Sequence, residues 1–153
     1  MADKTGQRMV WTVGHSQHSM DVFIALLKDY GIAHVADIRS FPGSKRYPHF
    51  GRRPLSEALH AAGIGYTHFP ELGGKQEAGT SLPYSPLHIG VQRLELLAYS
   101  CRVVYMCAEA DWRNCHRAGL SDYLHRAGWK VIHIKGNGGL EEHQPTVQQG
   151  SLF

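Results

Sequence analysis

Residues 102–134, RVVYMCAEADWRNCHRAGLSDYLHRAGWKVIHI, set the architecture. RVVYM (102–106) is short, apolar and β-prone, as expected of a strand buried on both faces, and KVIHI (130–134) repeats the pattern. Between them Leu120, Tyr123, Leu124 and Ala127 fall on one face at helical spacing, so a helix is expected from about Cys115 to Ala127. Strand, loop, helix and strand make one crossover unit of a parallel sheet.

The same alternation extends toward the N-terminus. MVWTV (9–13) reads as the first strand, and Ser19 is placed to cap a helix carrying Phe23, Leu26, Leu27 and Tyr30, with Gly31 at its end. HVADI (34–38) is the second strand. PLSEALHAAG (54–63) is a helix with Pro54 in its first turn and Gly63 after it, and IGYTHF (64–69) is the third strand. A polar stretch, 71–84, leads to Ser85-Pro86 and a helix to about Tyr99. This order predicts a three-layer α/β/α fold with about five mainly parallel strands, Rossmann-like in plan, over residues 1–135. Residues 136–153, GNGGLEEHQPTVQQGSLF, lack periodicity and read as a flexible tail.

A chain of 153 residues suits one domain. Its longest apolar runs are interrupted well short of the roughly 18 residues that span a bilayer, and the first residues lack a signal-peptide pattern. A cytoplasmic protein with no membrane partner is the expectation. Three cysteines, Cys101, Cys107 and Cys115, are too few for a disulfide framework, so reduced thiols are expected, with Cys101 packed in the core. The net charge is +3, but residues 136–153 hold Glu141 and Glu142 and no Lys or Arg, so the rest carries 16 basic against 11 acidic residues. That balance suits an anionic partner.

In an open parallel sheet the ligand site lies beyond the carboxyl ends of the strands. Those ends carry Gly14, His15 and Ser16; Asp37 and Arg39; His68 and Glu71; and Cys107 and Glu109. Cys115, His116 and Arg117 open the helix after the fourth strand, where free N–H groups and the helix dipole favour anions and thiolates.

Several chemistries fit these residues. Cys107, Cys115 and His116 with His15 or His18 would give zinc four ligands, although neither a CxxC nor an HxxxH spacing is present; no metal or other cofactor is assigned. Cys115 or Cys107 beside His116 or His15 would make a nucleophilic thiol, against the alternative that both sulfurs are small buried hydrophobes. Glu109 and Asp37 at two strand ends would serve as acid and base on a glycosidic bond, against the alternative that Asp37 pairs with Arg39 or Arg117. The segment RSFPGSKRYPHFGRR (39–53) holds five basic residues and no acidic one, interleaved with Phe41, Tyr47 and Phe50. Cations for phosphates and rings for unstacked bases point to nucleic acid or a nucleotide, with Lys45, Arg46, Tyr47, Phe50, Arg52 and Arg53 as contacts.

TVGHS (12–16), VADIRSFP (35–42), HFPELGG (68–74), MCAEADWRNCHR (106–117) and VIHI (131–134), in this order, resemble the DUF488 family of small bacterial and archaeal proteins. The resemblance runs from about Thr12 to Ile134. It implies that Gly14, His15, Ser16, Asp37, Arg39, Cys107, Glu109, Cys115, His116 and Arg117 are family motif positions, and it brings no established reaction. Separately, QGSLF (149–153) resembles the short motif, commonly Gln-Leu-Ser/Asp-Leu-Phe, by which bacterial repair and replication proteins dock on the sliding clamp. Gln149, Ser151, Leu152 and Phe153 match, and Gly150 stands where a leucine is usual.

The sequence therefore leads to an α/β protein acting on DNA or nucleotides, with hydrolysis at the base or sugar by Glu109 and Asp37, assisted by His15 and Cys115. Ser16, Arg39, Cys107, His116 and Arg117 are expected to bind substrate or phosphate, and the tail to bind the clamp. A non-catalytic nucleic-acid adaptor and a cysteine-dependent thiol enzyme or redox sensor are the alternatives.

Overall fold

The computed structural model describes residues 6–43, 45–73 and 86–145. Its strands are β1 (Met9–Gly14), β2 (His34–Asp37), β3 (Gly65–His68), β4 (Val103–Cys107), β5 (Lys130–Ile134) and β6 (Leu140–Glu142). Its α-helices are α1 (Met20–Asp29), α2 (Arg52–Ala61), α3 (Pro86–Ser100) and α4 (Arg117–Arg126). The strands form one sheet in the order β3-β2-β4-β1-β5-β6, all pairings parallel except β5 with β6. The fold is the expected three-layer α/β arrangement.

Alternation along the strands sorts the core into two halves. Phe23, Leu26 and Leu27 of α1 and Leu55 and Leu59 of α2 pack with Trp11, Val13, Val35, Val104 and Met106 on one face. Leu87, Val91 and Leu94 of α3 and Leu120 and Leu124 of α4 pack with Val10, Val103, Tyr105 and Val131 on the other. With both faces covered, the inner strands read as mostly apolar runs, as VVYM (103–106) does. Ser19 caps α1 by accepting the Val22 N–H at 3.2 Å, and Gly31 takes φ +68° after it, a value that favours glycine.

The sheet continues past residue 135, where a flexible tail was expected. A turn at 136–139 leads into β6, antiparallel to β5, and His143 beyond it is 1% exposed. Three residues with a half-exposed Leu140 carry no periodic signal, so the strand is specified by the β5 edge it pairs with. No helix among the described residues is long and apolar enough to cross a membrane.

β1 and β4 are neighbours, yet α1 follows β1 onto one face and α4 follows β4 onto the other. The chain therefore diverges at their carboxyl ends, leaving the crevice that marks a topological switch point.

Candidate functional site

A cleft of about 870 Å³ occupies that crevice. Its walls come from His15 and Ser16 after β1, from the loop after β2 that includes Arg39, Phe41, Arg46 and Tyr47, and from the segment Cys107 to His116 after β4.

The β4 loop is held from three sides. The His15 and Ser16 N–H groups donate to the Cys107 and Ala108 carbonyls, each at 2.9 Å, so the β1–β4 ladder continues past both strands. The close approach requires glycine at 14, since a Cβ there would collide with the Glu109 carbonyl. From beneath, Arg117 donates to the carbonyls of Glu109 at 2.6 Å and Ala110 at 3.3 Å, and to Thr12 Oγ1 at 3.1 Å. On the far side Glu141 of β6 accepts from Trp112 Nε1 at 3.1 Å and from Arg113 at 2.6 Å.

This bracing orients the loop's peptide units. A carbonyl and the N–H of the following residue point in opposite directions across a trans peptide. With the Glu109 and Ala110 carbonyls turned onto Arg117, the N–H groups of Ala110 and Asp111 face away from it. Arg117 is fully buried and absent from the cleft wall, while Ala110 and Asp111 line it. Expected to bind phosphate, Arg117 instead shapes the loop. Burial lowers its pKa to about 10, which leaves it charged at neutral pH.

Asp37, read either as the acid–base partner of Glu109 or as the ion-pair partner of Arg39 or Arg117, pairs with Arg39. Its carboxylate takes Arg39 Nε at 2.9 Å and Nη2 at 2.7 Å, the Arg39 N–H at 3.1 Å and the Tyr66 hydroxyl at 2.6 Å, and it is fully buried. These four bonds make it a positioning residue that aims Arg39. Tyr66 is held protonated, its pKa raised by burial first and by Asp37 second. Glu109 is exposed on the cleft wall, so the two carboxylates are not a pair.

His15 lines the cleft. Its Nδ1–H donates to the Ser16 carbonyl at 2.9 Å, and its ring stacks on Phe50 at 4.4 Å. Nε2 is buried without a hydrogen-bond partner. Burial, opposed by the Ser16 bond, lowers the pKa to about 4, so the ring is neutral and Nε2 carries a free lone pair at physiological pH. Phe50, expected to stack on a base, is fully buried between His15 and Phe23 and has no free face. Phe41, 83% exposed on the cleft wall, is the free ring.

The rest of the basic loop divides. Arg46 and Tyr47 line the cleft, whereas Lys45, Arg52 and Arg53 are exposed and outside its wall, with Arg53 paired to Glu57. Of the other strand-end residues, His68 Nε2 meets the Arg39 carbonyl at 2.7 Å and Glu71 pairs with Arg93 of α3.

Three reduced thiols were expected without any placement relative to one another: the sulfurs of Cys107 and Cys115 lie against each other, and Cys101 stands apart from them and packs against the core. A count of cysteines says nothing about distance, and the braced loop brings the end of β4 back to the start of α4. His116 donates Nε2–H to the Ile38 carbonyl at 2.9 Å. No group of three or more His, Cys, Asp or Glu able to hold a metal ion occurs among the described residues.

A buried polar chain beneath the site gives no motif in the sequence. Thr12 Oγ1 meets His133 Nδ1 at 2.7 Å, His133 Nε2 meets His143 Nδ1 at 2.8 Å, and His143 Nε2 meets Asp122 at 2.7 Å. Trp112 stacks on His133 at 4.2 Å. The signal that could have revealed it is Thr12 and His133, polar residues at paired register positions of two buried strands.

Residues 19–124 match the family model described as Domain of unknown function DUF488. No curated protein and no solved structure matches the chain.

Proposed function

The chain belongs to the DUF488 family, and we propose that this member acts on nucleic acid or nucleotides, holding a phosphate of its ligand in the switch-point cleft. The observation that carries this reading is the β4 loop, whose Ala110 and Asp111 N–H groups face away from buried Arg117 beside the start of α4. Successive backbone amides turned the same way in a loop make an anion-binding concavity. Arg46 and the Asp37-aimed Arg39 add positive charge at the same cleft, and Phe41 and Tyr47 offer rings to a base.

In the hydrolytic form of this reading, directed at the base or sugar, Glu109 and His15 are the cleft groups assigned to proton transfer. A binding-only protein is the second reading, and the locking of Asp37 to Arg39 favours it. Recruitment to a bacterial sliding clamp through Gln149, Ser151, Leu152 and Phe153 completes the proposal. It rests on the likeness of QGSLF to the docking motif, which lies outside the described residues.

The test is binding of a fluorescent single-stranded oligonucleotide across a salt series. Wild type should show a steep dependence, and its log–log slope should fall by about 0.7 for each phosphate that a variant no longer neutralises. Arg46→Ala and the Lys45, Arg46, Arg52 and Arg53 quadruple alanine variant are the proteins to compare. Absence of binding at low salt would overturn the reading. Glu109→Gln separates the two forms: binding retained with product formation lost supports hydrolysis, and no product from wild type on any modified-base strand leaves binding alone. For the tail, Phe153→Ala should abolish binding of the full chain to purified clamp, and equal binding by both would remove that part of the proposal.

A further inference from the structure

The two adjoining sulfurs of Cys107 and Cys115 are unequal. Cys107 is 2% exposed, whereas Cys115 is half-buried, and both line the cleft. An attacking group entering from solvent therefore reaches Cys115 first.

Cys115 is also the sulfur with an environment suited to carrying charge. It precedes α4, and the Arg117 N–H donates to its Sγ at 3.4 Å. The His116 ring lies beside it, with Nδ1 3.7 Å from Sγ. Because Nε2–H is committed to the Ile38 carbonyl, Nδ1 bears the lone pair and can accept the thiol proton. Burial lowers the His116 pKa, which keeps that nitrogen unprotonated at neutral pH. Cys101 has neither feature: its Sγ–H donates to the Leu97 carbonyl at 3.6 Å, and burial raises its pKa.

We infer that Cys115 and Cys107 are a catalytic dithiol–disulfide couple that exchanges with low-molecular-weight thiols and disulfides, with Cys115 attacking, His116 as its base and Cys107 resolving. In the oxidising direction His116 Nδ1 takes the Cys115 proton and the thiolate attacks one sulfur of an external disulfide. One external thiolate leaves and is protonated, and a mixed disulfide remains on Cys115. Cys107, losing its proton, attacks Cys115 Sγ, closing the internal disulfide and releasing the second external thiol. One external disulfide and two protein thiols become two external thiols and one protein disulfide, and the reverse sequence reduces the protein.

The test uses the full chain in buffers of graded reduced-to-oxidised glutathione, with free thiols trapped by a maleimide and counted by intact mass. Wild type should pass in one step from three labels to one, the remaining label on Cys101. Cys107→Ser should stop at the mixed disulfide, gaining one glutathione on Cys115, an adduct that wild type does not accumulate. In the reduced protein, iodoacetamide should modify Cys115 at least tenfold faster than Cys101 at neutral pH, and His116→Gln should remove most of that advantage. Three labels at every glutathione ratio would overturn the inference, as would equal glutathione adducts on wild type and Cys107→Ser, or a Cys115 no faster than Cys101.

Discussion

Gly14 and Arg117 set the cleft wall from opposite sides, and neither residue lines it. Gly14→Ala should displace the 108–111 segment and weaken ligand binding at least tenfold while leaving the fold intact by circular dichroism; unchanged affinity would show that the loop is not the cradle. Arg117→Leu removes the donor from two loop carbonyls and from Thr12, at about 1–3 kcal/mol for each buried acceptor left unpaired. Urea unfolding should register a loss of about 3 kcal/mol or more, and a variant as stable as wild type would rule out the bracing role. Asp37→Asn should leave Arg39 unaligned, weakening binding without changing its pH dependence, as befits a residue that touches Arg39 and Tyr66 and not the cleft. Much at this scale was hidden from the sequence. Arg117 and Phe50 have the chemistry of ligand contacts, and only the path of the backbone shows that both point inward. His15 and Glu109 were legible because strand ends project their neighbours into the crevice whatever the details of packing.

Among the elements, those with strong periodicity were read correctly and the short one was not. α1 announced itself through Ser19, Phe23, Leu26, Leu27 and Gly31, and Ser19→Ala should cost about 1 kcal/mol in urea unfolding. β6 has three residues and an exposed Leu140, so nothing local distinguishes it from loop. Its importance lies in what it holds: Glu141 fixes Trp112 and Arg113, and His143 closes the chain from Thr12 to Asp122. Glu141→Ala should therefore loosen the far side of the cleft. Faster amide exchange is expected at 111–114 than in the strands, where protection is retained; unchanged exchange at 111–114 would separate β6 from the site.

Across the molecule, five imidazoles are held below their usual pKa. His15, His34, His116, His133 and His143 are all shifted down, burial being the first cause in each. His15 falls to about 4 and His133 to about 2. In the unfolded chain these rings titrate near 6.5, so from about pH 6.5 downward the unfolded state binds more protons and stability falls with pH. The window stays open to about pH 4 for His15 and lower still for His133. The urea midpoint should thus drop between about pH 7.5 and about pH 5, before most carboxylates titrate, and a flat profile there would be incompatible with buried neutral rings.

Sheet order and the opposite departures of α1 and α4 bring residues separated by about a hundred positions to one crevice, where a phosphate is proposed to rest against the β4 loop. The decisive experiment is titration of isotope-labelled protein with a mononucleotide, following each backbone amide by nuclear magnetic resonance. The largest saturable shifts should fall on Ala110 and Asp111, with smaller ones at Cys115, His116 and the Arg46 side chain, and a nucleoside lacking phosphate should leave Ala110 and Asp111 unmoved. Shifts confined to Lys45, Arg52 and Arg53, or none at saturating nucleotide, would overturn the phosphate cradle.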